Sequence, residues 1–278
     1  MPMKTYFLTT EIIPFAETGL LAQYSKYVPL RLQELEHDIR LTAPKYGFIS
    51  ERKYILREVI RLREINSTFN HHDVKASAKS AFIPRTRVQV YFMEHDEWFQ
   101  PLNPLLYKFK NGRPLHDNDD RFGFFGKIAL EMLTNLFWSP DIIICNDWQS
   151  AFVPIIYKQH FESLDFYKDI KTVHIIHSLN DFSNISGETY EKLDVKLPKE
   201  LTGEKVNSQA VAATFADMVI VLDTPETKLS NELPKQSGFK PIFESLEPKL
   251  KTLTLKEANE DNLLVLAEEI HELLQTLS

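Results

Sequence analysis

The sequence predicts an α/β protein with a mostly parallel, Rossmann-like sheet and one antiparallel insertion. A short apolar strand at 4–9 precedes a polar loop with a glycine and then a helical pattern, which is how many α/β proteins begin a ligand site. Later apolar runs at 141–145 and 172–176 are short and unbroken, as in the buried strands of a parallel sheet. Residues 55–93 contain alternating apolar and charged side chains, which favours antiparallel strands with one solvated face.

The N-terminal segments form a βαβ unit followed by the insertion. A helix is predicted after the first strand because apolar residues recur at spacings of three and four, and Pro29 is expected to kink or restart it. The second parallel strand is predicted at 39–43. The insertion has strand candidates at 55–65, 74–83 and 87–93.

A long loop is predicted at 98–117, and loops of this length are usually functional. Its aromatic side chains either stack on sugar rings or are partly buried. The acidic cluster after it favours the start of a long helix, which is predicted to run to about residue 138. The remaining predicted elements are helices at 147–158 and 205–217, a strand at 218–222, a helix beginning within 224–230, a connection at 237–248 and an amphipathic terminal helix. We divide the chain into a Rossmann-like domain, 1–235, and a connection with a C-terminal helix, 236–278.

The composition is that of a globular protein without a broad nucleic-acid footprint. The chain of 278 residues is 43% hydrophobic and 26% charged, and its net charge at pH 7 is −7. The single cysteine, Cys145, excludes an intrachain disulfide. No apolar run approaches the roughly 18 residues of a membrane span, and no N-terminal targeting pattern is visible. We therefore expect a cytoplasmic protein with no membrane or nucleic-acid partner.

Several motifs in this sequence resemble those of bacterial glycogen synthases and plant starch synthases. Residues 10–21, Thr-Glu-Ile-Ile-Pro-Phe-Ala-Glu-Thr-Gly-Leu-Leu, are similar to the family signature Ser/Thr-Glu-x-x-Pro-Phe-Ala-Lys-Thr-Gly-Gly-Leu. The other matches are collinear with it and extend to about residue 230. They are Glu-His-Asp-Ile-Arg at 36–40, Pro-Lys-Tyr-Gly at 44–47, Asp-Asn-x-x-Arg-Phe-x-Phe-Phe at 117–125, Pro-Asp followed by Asn-Asp-Trp-Gln-Ser-Ala within 140–151, and Lys-Thr-Val-x-x-Ile-His-Ser-Leu at 171–179.

The resemblance implies one half of a two-domain fold called glycosyltransferase type B. This N-terminal half would bind the α-glucan acceptor, and the donor would be ADP-glucose, with no other cofactor. The resemblance assigns His177 as a catalytic residue in the cleft near the transferred glucose. The implied substrate-binding residues are Glu11, Thr18, Gly19, Asp147, Trp148 and Gln149.

Departures from the family pattern weaken the expectation of activity. Glu17 replaces the lysine that reaches the ADP-glucose phosphates in the family, and two unit charges about 4 Å apart interact by about 4 kcal/mol, here repulsively. Leu20 replaces a glycine that lets backbone N–H groups approach phosphate. Arg40 or Arg121 could neutralise Glu17. Since the resemblance covers only the acceptor-side domain, we expect the isolated chain to be inactive as a hexosyltransferase.

Each matched polar residue also has a structural interpretation. Asp147 could be the N-cap of the predicted helix at 147–158, and His177 could cap the edge of the sheet by hydrogen bonding. The loop that contains Gly19 could be a plain connection from strand to helix. The histidines show no spacing typical of zinc ligands, so no metal site is predicted.

Two main functional hypotheses follow. The first is a glycogen- or starch-synthase-like protein that is degenerate, or that depends on a donor half supplied by a second polypeptide or a dimer mate. The alternative is a non-catalytic module that binds α-glucan or a protein and regulates glycogen metabolism. A third is an enzyme that uses another sugar nucleotide through a rebuilt loop. ADP-glucose turnover that is lost in His177→Ala would favour the enzyme.

Overall fold

A ten-stranded sheet runs through the centre of the protein. The computed structural model describes residues 2–100 and 105–277. The strands are β1 (Lys4–Leu8), β2 (Asp38–Pro44), β3 (Arg57–Glu58), β4 (Ile65–Phe69), β5 (His72–Phe82), β6 (Gln89–Glu94), β7 (Ile142–Asn146), β8 (Lys171–Ile176), β9 (Asn184–Ser186), β10 (Lys205–Asn207), β11 (Met218–Asp223) and β12 (Leu250–Thr254).

The strand order confirms the predicted sheet. Along the sheet the order is β12-β11-β8-β7-β1-β2-β6-β5-β3, and β4 pairs with β5. All neighbours from β12 to β6 are parallel, whereas β5 pairs antiparallel with β6, β3 and β4. β9 and β10 form a separate antiparallel pair. The carboxyl ends of β1, β7 and β8 therefore lie next to one another on one edge.

Helices cover the sheet, and Pro29 does not interrupt the first of them. They are α1 (Leu20–Glu34), α2 (Glu51–Tyr54), α3 (Asp96–Phe99), α4 (Asn118–Leu136), α5 (Val153–Ile156), α6 (Gly187–Lys192), α7 (Ser208–Phe215), α8 (Leu229–Glu232), α9 (Phe243–Leu246) and α10 (Glu260–Gln275). α4 is buried along its length, because nearly every turn contributes apolar side chains to the core. Within the described ranges, no helix is long and apolar enough to cross a bilayer.

The strands of the insertion differ from the prediction in position. The strand predicted at 55–65 was wrong for most of its length, because only Arg57–Glu58 pair with β5 before β4 begins at Ile65. Ile55 has a left-handed backbone with φ 54° and is 65% exposed, so the apolar alternation there does not mark a buried face. Residues 66–73, which separate the first two strand candidates in the sequence, instead contain most of β4.

Packing fixes the first two residues of the segment 98–117, which was predicted as a loop. Pro101 and Pro104 lie outside the described residues. Phe99 is fully buried at the end of α3, and Trp98 packs edge-on against Phe124 with ring centroids 4.3 Å apart. Burial therefore accounts for these two aromatic side chains.

The C-terminal residues add a strand and a helix to the main sheet. β12, which was not predicted, pairs in parallel with β11. α10 packs on α1, where the Arg31 guanidinium contacts the Glu268 carboxylate at 2.5 Å. The strand was missed because Thr252 and Thr254 are polar and exposed on this edge of the sheet. The domain boundary at 235 stays a prediction.

Candidate functional site

Three predicted site residues follow three neighbouring strands and meet at one cleft. Glu11 follows β1, Asp147 follows β7 and His177 follows β8, all at the carboxyl edge of the parallel sheet. Ligands of open parallel sheets bind at this edge. The cleft has a volume of about 240 Å³, and its wall includes all the residues that the family resemblance singled out: Glu11, Thr18, Gly19, Asp147, Trp148, Gln149 and His177.

The Asp147 carboxylate is buried and held from the neighbouring strand. Oδ1 accepts hydrogen bonds from the backbone N–H of His177 at 3.3 Å and of Ser178 at 3.1 Å, and Oδ2 accepts one from the Ser178 hydroxyl at 2.9 Å. The residue has a strained backbone with φ 56°, a conformation that is uncommon for residues other than glycine and that clusters at functional sites. Burial raises the pKa of Asp147 to about 7, although the hydrogen bonds from Ser178 oppose this effect.

The capping interpretation of Asp147 was wrong. Its side chain makes no capping hydrogen bond to the turn at 148–150, which is a 3-10 turn rather than the start of the helix predicted at 147–158. The carboxylate bonds across the sheet because the left-handed backbone of Asp147 directs it toward β8. It therefore joins β7 to the loop after β8.

His177 has its two ring nitrogens in different environments. Nε2 lies 3.1 Å from Asn146 Oδ1, and Asn146 Nδ2 donates to the Leu8 carbonyl at 2.9 Å, so Oδ1 is the acceptor and Nε2 the donor. Nδ1 is buried and has no hydrogen-bond partner among the described residues. The ring packs edge-on against Tyr24 with centroids 4.5 Å apart. Burial, with His174 nearby, lowers the pKa of His177, so the imidazole is neutral at pH 7.

Glu11 closes the loop between β1 and α1. Its carboxylate accepts hydrogen bonds from the backbone N–H of Thr18 and from the Thr18 hydroxyl, the latter at 2.7 Å. Burial raises the pKa of Glu11, and the Thr18 hydrogen bonds oppose this effect. Thr18 thus shapes the loop through its contact with Glu11. Gly19 is extended, and a Cβ atom there would meet open space.

The two remaining predicted residues differ in what they offer a ligand. Trp148 is 1% exposed and packs against Tyr107 and Phe122 with ring centroids 5.4 Å and 5.2 Å away, so it supports the wall of the cleft. Gln149 is buried, and its Oε1 atom has no hydrogen-bond partner within the described part of the chain. An amide oxygen in that state can accept a hydrogen bond from a ligand hydroxyl.

Neither arginine proposed to neutralise Glu17 lies in a position to do so. Arg40 is near the amino end of β2, with its guanidinium over Trp138 and its Nε atom 3.8 Å from Asp38. Arg121 is completely buried in α4. Glu17 is exposed, and the cleft contains another basic residue, Lys108, which no sequence motif indicated because it comes from the irregular segment before α4.

Asp147 should become a weaker acid in Ser178→Ala. We expect its pKa to rise above the value of about 7 in the natural chain, with an acid dissociation constant about tenfold smaller, because the hydrogen bond from the Ser178 hydroxyl to the ionised carboxylate is lost. Carbon-13 NMR of the carboxyl group during a pH titration measures this change. Ser139→Ala is the control, since the Ser139 hydroxyl donates to the Phe166 carbonyl and does not contact Asp147. An unchanged pKa of Asp147 in Ser178→Ala would mean that the Ser178 hydroxyl does not stabilise the ionised carboxylate.

Comparison with known proteins relates this chain to starch and glycogen synthases. Residues 4–225 match the family described as the starch synthase catalytic domain. A glycogen synthase of Pelodictyon phaeoclathratiforme is 31% identical over 222 residues, which is 78% of this chain and 45% of that protein. A glycogen synthase of Chlorobium luteolum is 32% identical over the same shares of the two chains.

A solved structure is similar in fold. It is the catalytic domain of Starch Synthase IV from Arabidopsis thaliana bound to ADP and acarbose, with a TM-score of 0.74 and 20% identity, over 91% of this chain and 52% of that one. This chain thus spans about half the length of the relatives that it matches. On the strength of the match over residues 4–225, the chain belongs to the starch synthase catalytic domain family.

Proposed function

We propose that this chain is the acceptor-side half of a glucosyltransferase site and binds α-glucan at the cleft between the ends of β1, β7 and β8. The observation that carries the proposal is the buried Asp147 carboxylate, fixed by Ser178 in the wall of the cleft. Carboxylate and amide oxygens placed in a concave site accept hydrogen bonds from sugar hydroxyls. Gln149 Oε1 would accept a further one.

The proposed reaction is transfer of glucose from ADP-glucose to an α-1,4-glucan, without a metal or other cofactor. The glycogen synthases that this chain resembles, and the starch synthase bound to ADP and acarbose, support this choice of donor and acceptor. In the proposal His177 positions the acceptor, and the donor half comes from another polypeptide, another copy or a further part of a longer chain. In the proposal the 278-residue chain by itself is degenerate and does not transfer glucose, and it is located in the cytoplasm.

The second candidate is a non-catalytic regulator of glycogen metabolism that binds glucan or a partner protein. Exposed Glu17 favours it, because a carboxylate near the end of the loop between β1 and α1 repels the phosphates of a nucleotide sugar. Both candidates can bind glucan, but only the first takes part in the transfer of glucose from ADP-glucose.

Calorimetric titration with maltoheptaose tests the binding step. We expect saturable heat with the natural chain and a loss of affinity of about tenfold or more in Asp147→Ala, since hydrogen bonds to a charged group are worth roughly 1.5–3 kcal/mol. Asp165→Ala, at an exposed residue outside the cleft, should bind as the natural chain does. An absence of saturable binding at millimolar maltoheptaose would overturn the proposal. Release of ADP from ADP-glucose, assayed after the donor half of a glycogen synthase is added and with His177→Ala beside it, then separates the enzyme from the regulator, since the chain alone should be inactive under either hypothesis.

A further inference from the structure

A short hairpin beside the cleft, residues 107–115, has a concentrated positive charge. We call it the basic hairpin. The backbone N–H of Leu115 donates to the Tyr107 carbonyl at 2.9 Å, and that of Phe109 donates to the Arg113 carbonyl at 2.8 Å. Gly112, at φ 83°, makes the turn. The hairpin contains Lys108, Lys110 and Arg113 and no acidic residue, in a chain whose net charge is −7.

These three cations are exposed and have no ion-pair partner in residues 2–100 and 105–277. Unpaired exposed cations are common in the described chain, but the hairpin places three of them within residues 108–113 with no acidic residue among them. Like charges so close along the chain repel one another, and an anion bound among them would relieve that repulsion. The basic hairpin therefore has the electrostatic character of an anion site.

The base of the hairpin is fixed to the candidate site. The Tyr107 hydroxyl lies 2.7 Å from Thr10 Oγ1, and the Tyr107 carbonyl accepts a hydrogen bond from Asn118 Nδ2 at 2.8 Å. The Tyr107 ring packs edge-on against Trp148. Lys108 follows this anchored residue directly and lines the cleft with Thr18 and Gly19.

Lys108 is the one permanent positive charge among the described residues that line this cleft, since His177 is neutral there. The loop from β1 to α1, where a donor phosphate would approach, carries exposed Glu17 instead. An anion that enters the cleft therefore finds its countercharge on the basic hairpin, at Lys108.

We propose that the basic hairpin, chiefly through Lys108, binds the phosphate groups of a nucleoside diphosphate sugar at this cleft. This inference rests on the proposed function. It assigns the phosphate-binding charge to a segment distant in sequence from the loop after β1. Lys110 and Arg113 add to the local positive potential and steer the anion toward Lys108.

Titration with ADP, followed by calorimetry, tests the assignment, with maltoheptaose titrated in parallel. Lys108→Glu should weaken ADP binding about tenfold or more, because the charge beside the phosphates is reversed, and should leave binding of uncharged maltoheptaose unchanged. Lys168→Glu makes the same change of net charge at an exposed residue near the amino edge of the sheet and should not affect ADP binding. Glu17→Gln should strengthen ADP binding.

The outcomes separate this inference from the proposed function. Equal ADP affinity in Lys108→Glu and the natural chain, or no ADP binding while maltoheptaose still binds, would overturn the hairpin assignment and leave the glucan proposal standing. If the natural chain bound neither ADP nor maltoheptaose, both the hairpin assignment and the glucan proposal would be overturned. Pyrophosphate should bind more weakly than ADP and with the same dependence on Lys108. Pyrophosphate that binds as tightly as ADP would assign the hairpin to free phosphate and overturn the nucleotide part.

Discussion

Ile270→Ala is expected to lower the free energy of unfolding by about 2–5 kcal/mol, the usual cost of truncating a buried isoleucine. Ile270 is 1% exposed on the face of α10 that packs against α1 and the sheet. α10 is further tied to the protein by the contact of Glu268 with Arg31 and by the 2.8 Å contact between His37 and His271. Urea denaturation followed by circular dichroism measures the change.

Val265→Ala is the matched control in the same helix. Val265 is 54% exposed, so its truncation removes little buried surface and should change the unfolding free energy by no more than about 0.5 kcal/mol. The comparison isolates burial from helix propensity, because both substitutions replace a β-branched residue by alanine. Similar small effects at Ile270 and Val265 would mean that α10 does not stabilise the domain.

Acidification is expected to destabilise the protein through His37. This side chain is 5% exposed, with Nδ1 2.8 Å from Thr5 Oγ1 and Nε2 2.8 Å from His271 Nδ1. Burial, with a smaller effect of His271, lowers the pKa of His37 to about 4. The unfolded chain binds a proton near pH 6.5 and the folded chain does not, so stability is present above pH 6.5 and is lost as the pH falls toward 4. The expected loss is about 3 kcal/mol, at about 1.4 kcal/mol for each pKa unit.

The natural chain and His37→Gln, unfolded in urea at several pH values, provide the measurement. Other buried groups titrate in the same range, among them Asp147 with its raised pKa, and the difference between the two proteins removes their contribution. The natural chain should lose its advantage over His37→Gln as the pH falls from 7 to 4. His71→Gln changes an exposed histidine and should leave the pH dependence unaltered. A constant difference between the natural chain and His37→Gln would refute the effect.

Local patterns in the sequence were enough to identify most of the parallel strands and the residues that follow them. The unbroken apolar runs before Asp147 and His177 predicted buried parallel strands, and the motif after β1 predicted the loop that contains Glu11. The same reasoning failed within residues 55–65, where the apolar alternation lies on exposed backbone. It also missed β12, in which Lys251, Thr252 and Thr254 are polar at the edge of the sheet. Alternation indicates a buried face only when tertiary packing covers that face.

The sequence by itself determined the family, the parallel sheet and the set of side chains that meet at its carboxyl edge. Parallel strands bring their ends to one edge, so residues that follow β1, β7 and β8 had to lie together. Only the tertiary structure decided that Asp147 bonds to Ser178 across the sheet, that His177 donates to Asn146, and that Lys108 faces the cleft. These contacts join segments distant in the chain, and their geometry depends on backbone angles and burial that no local pattern encodes.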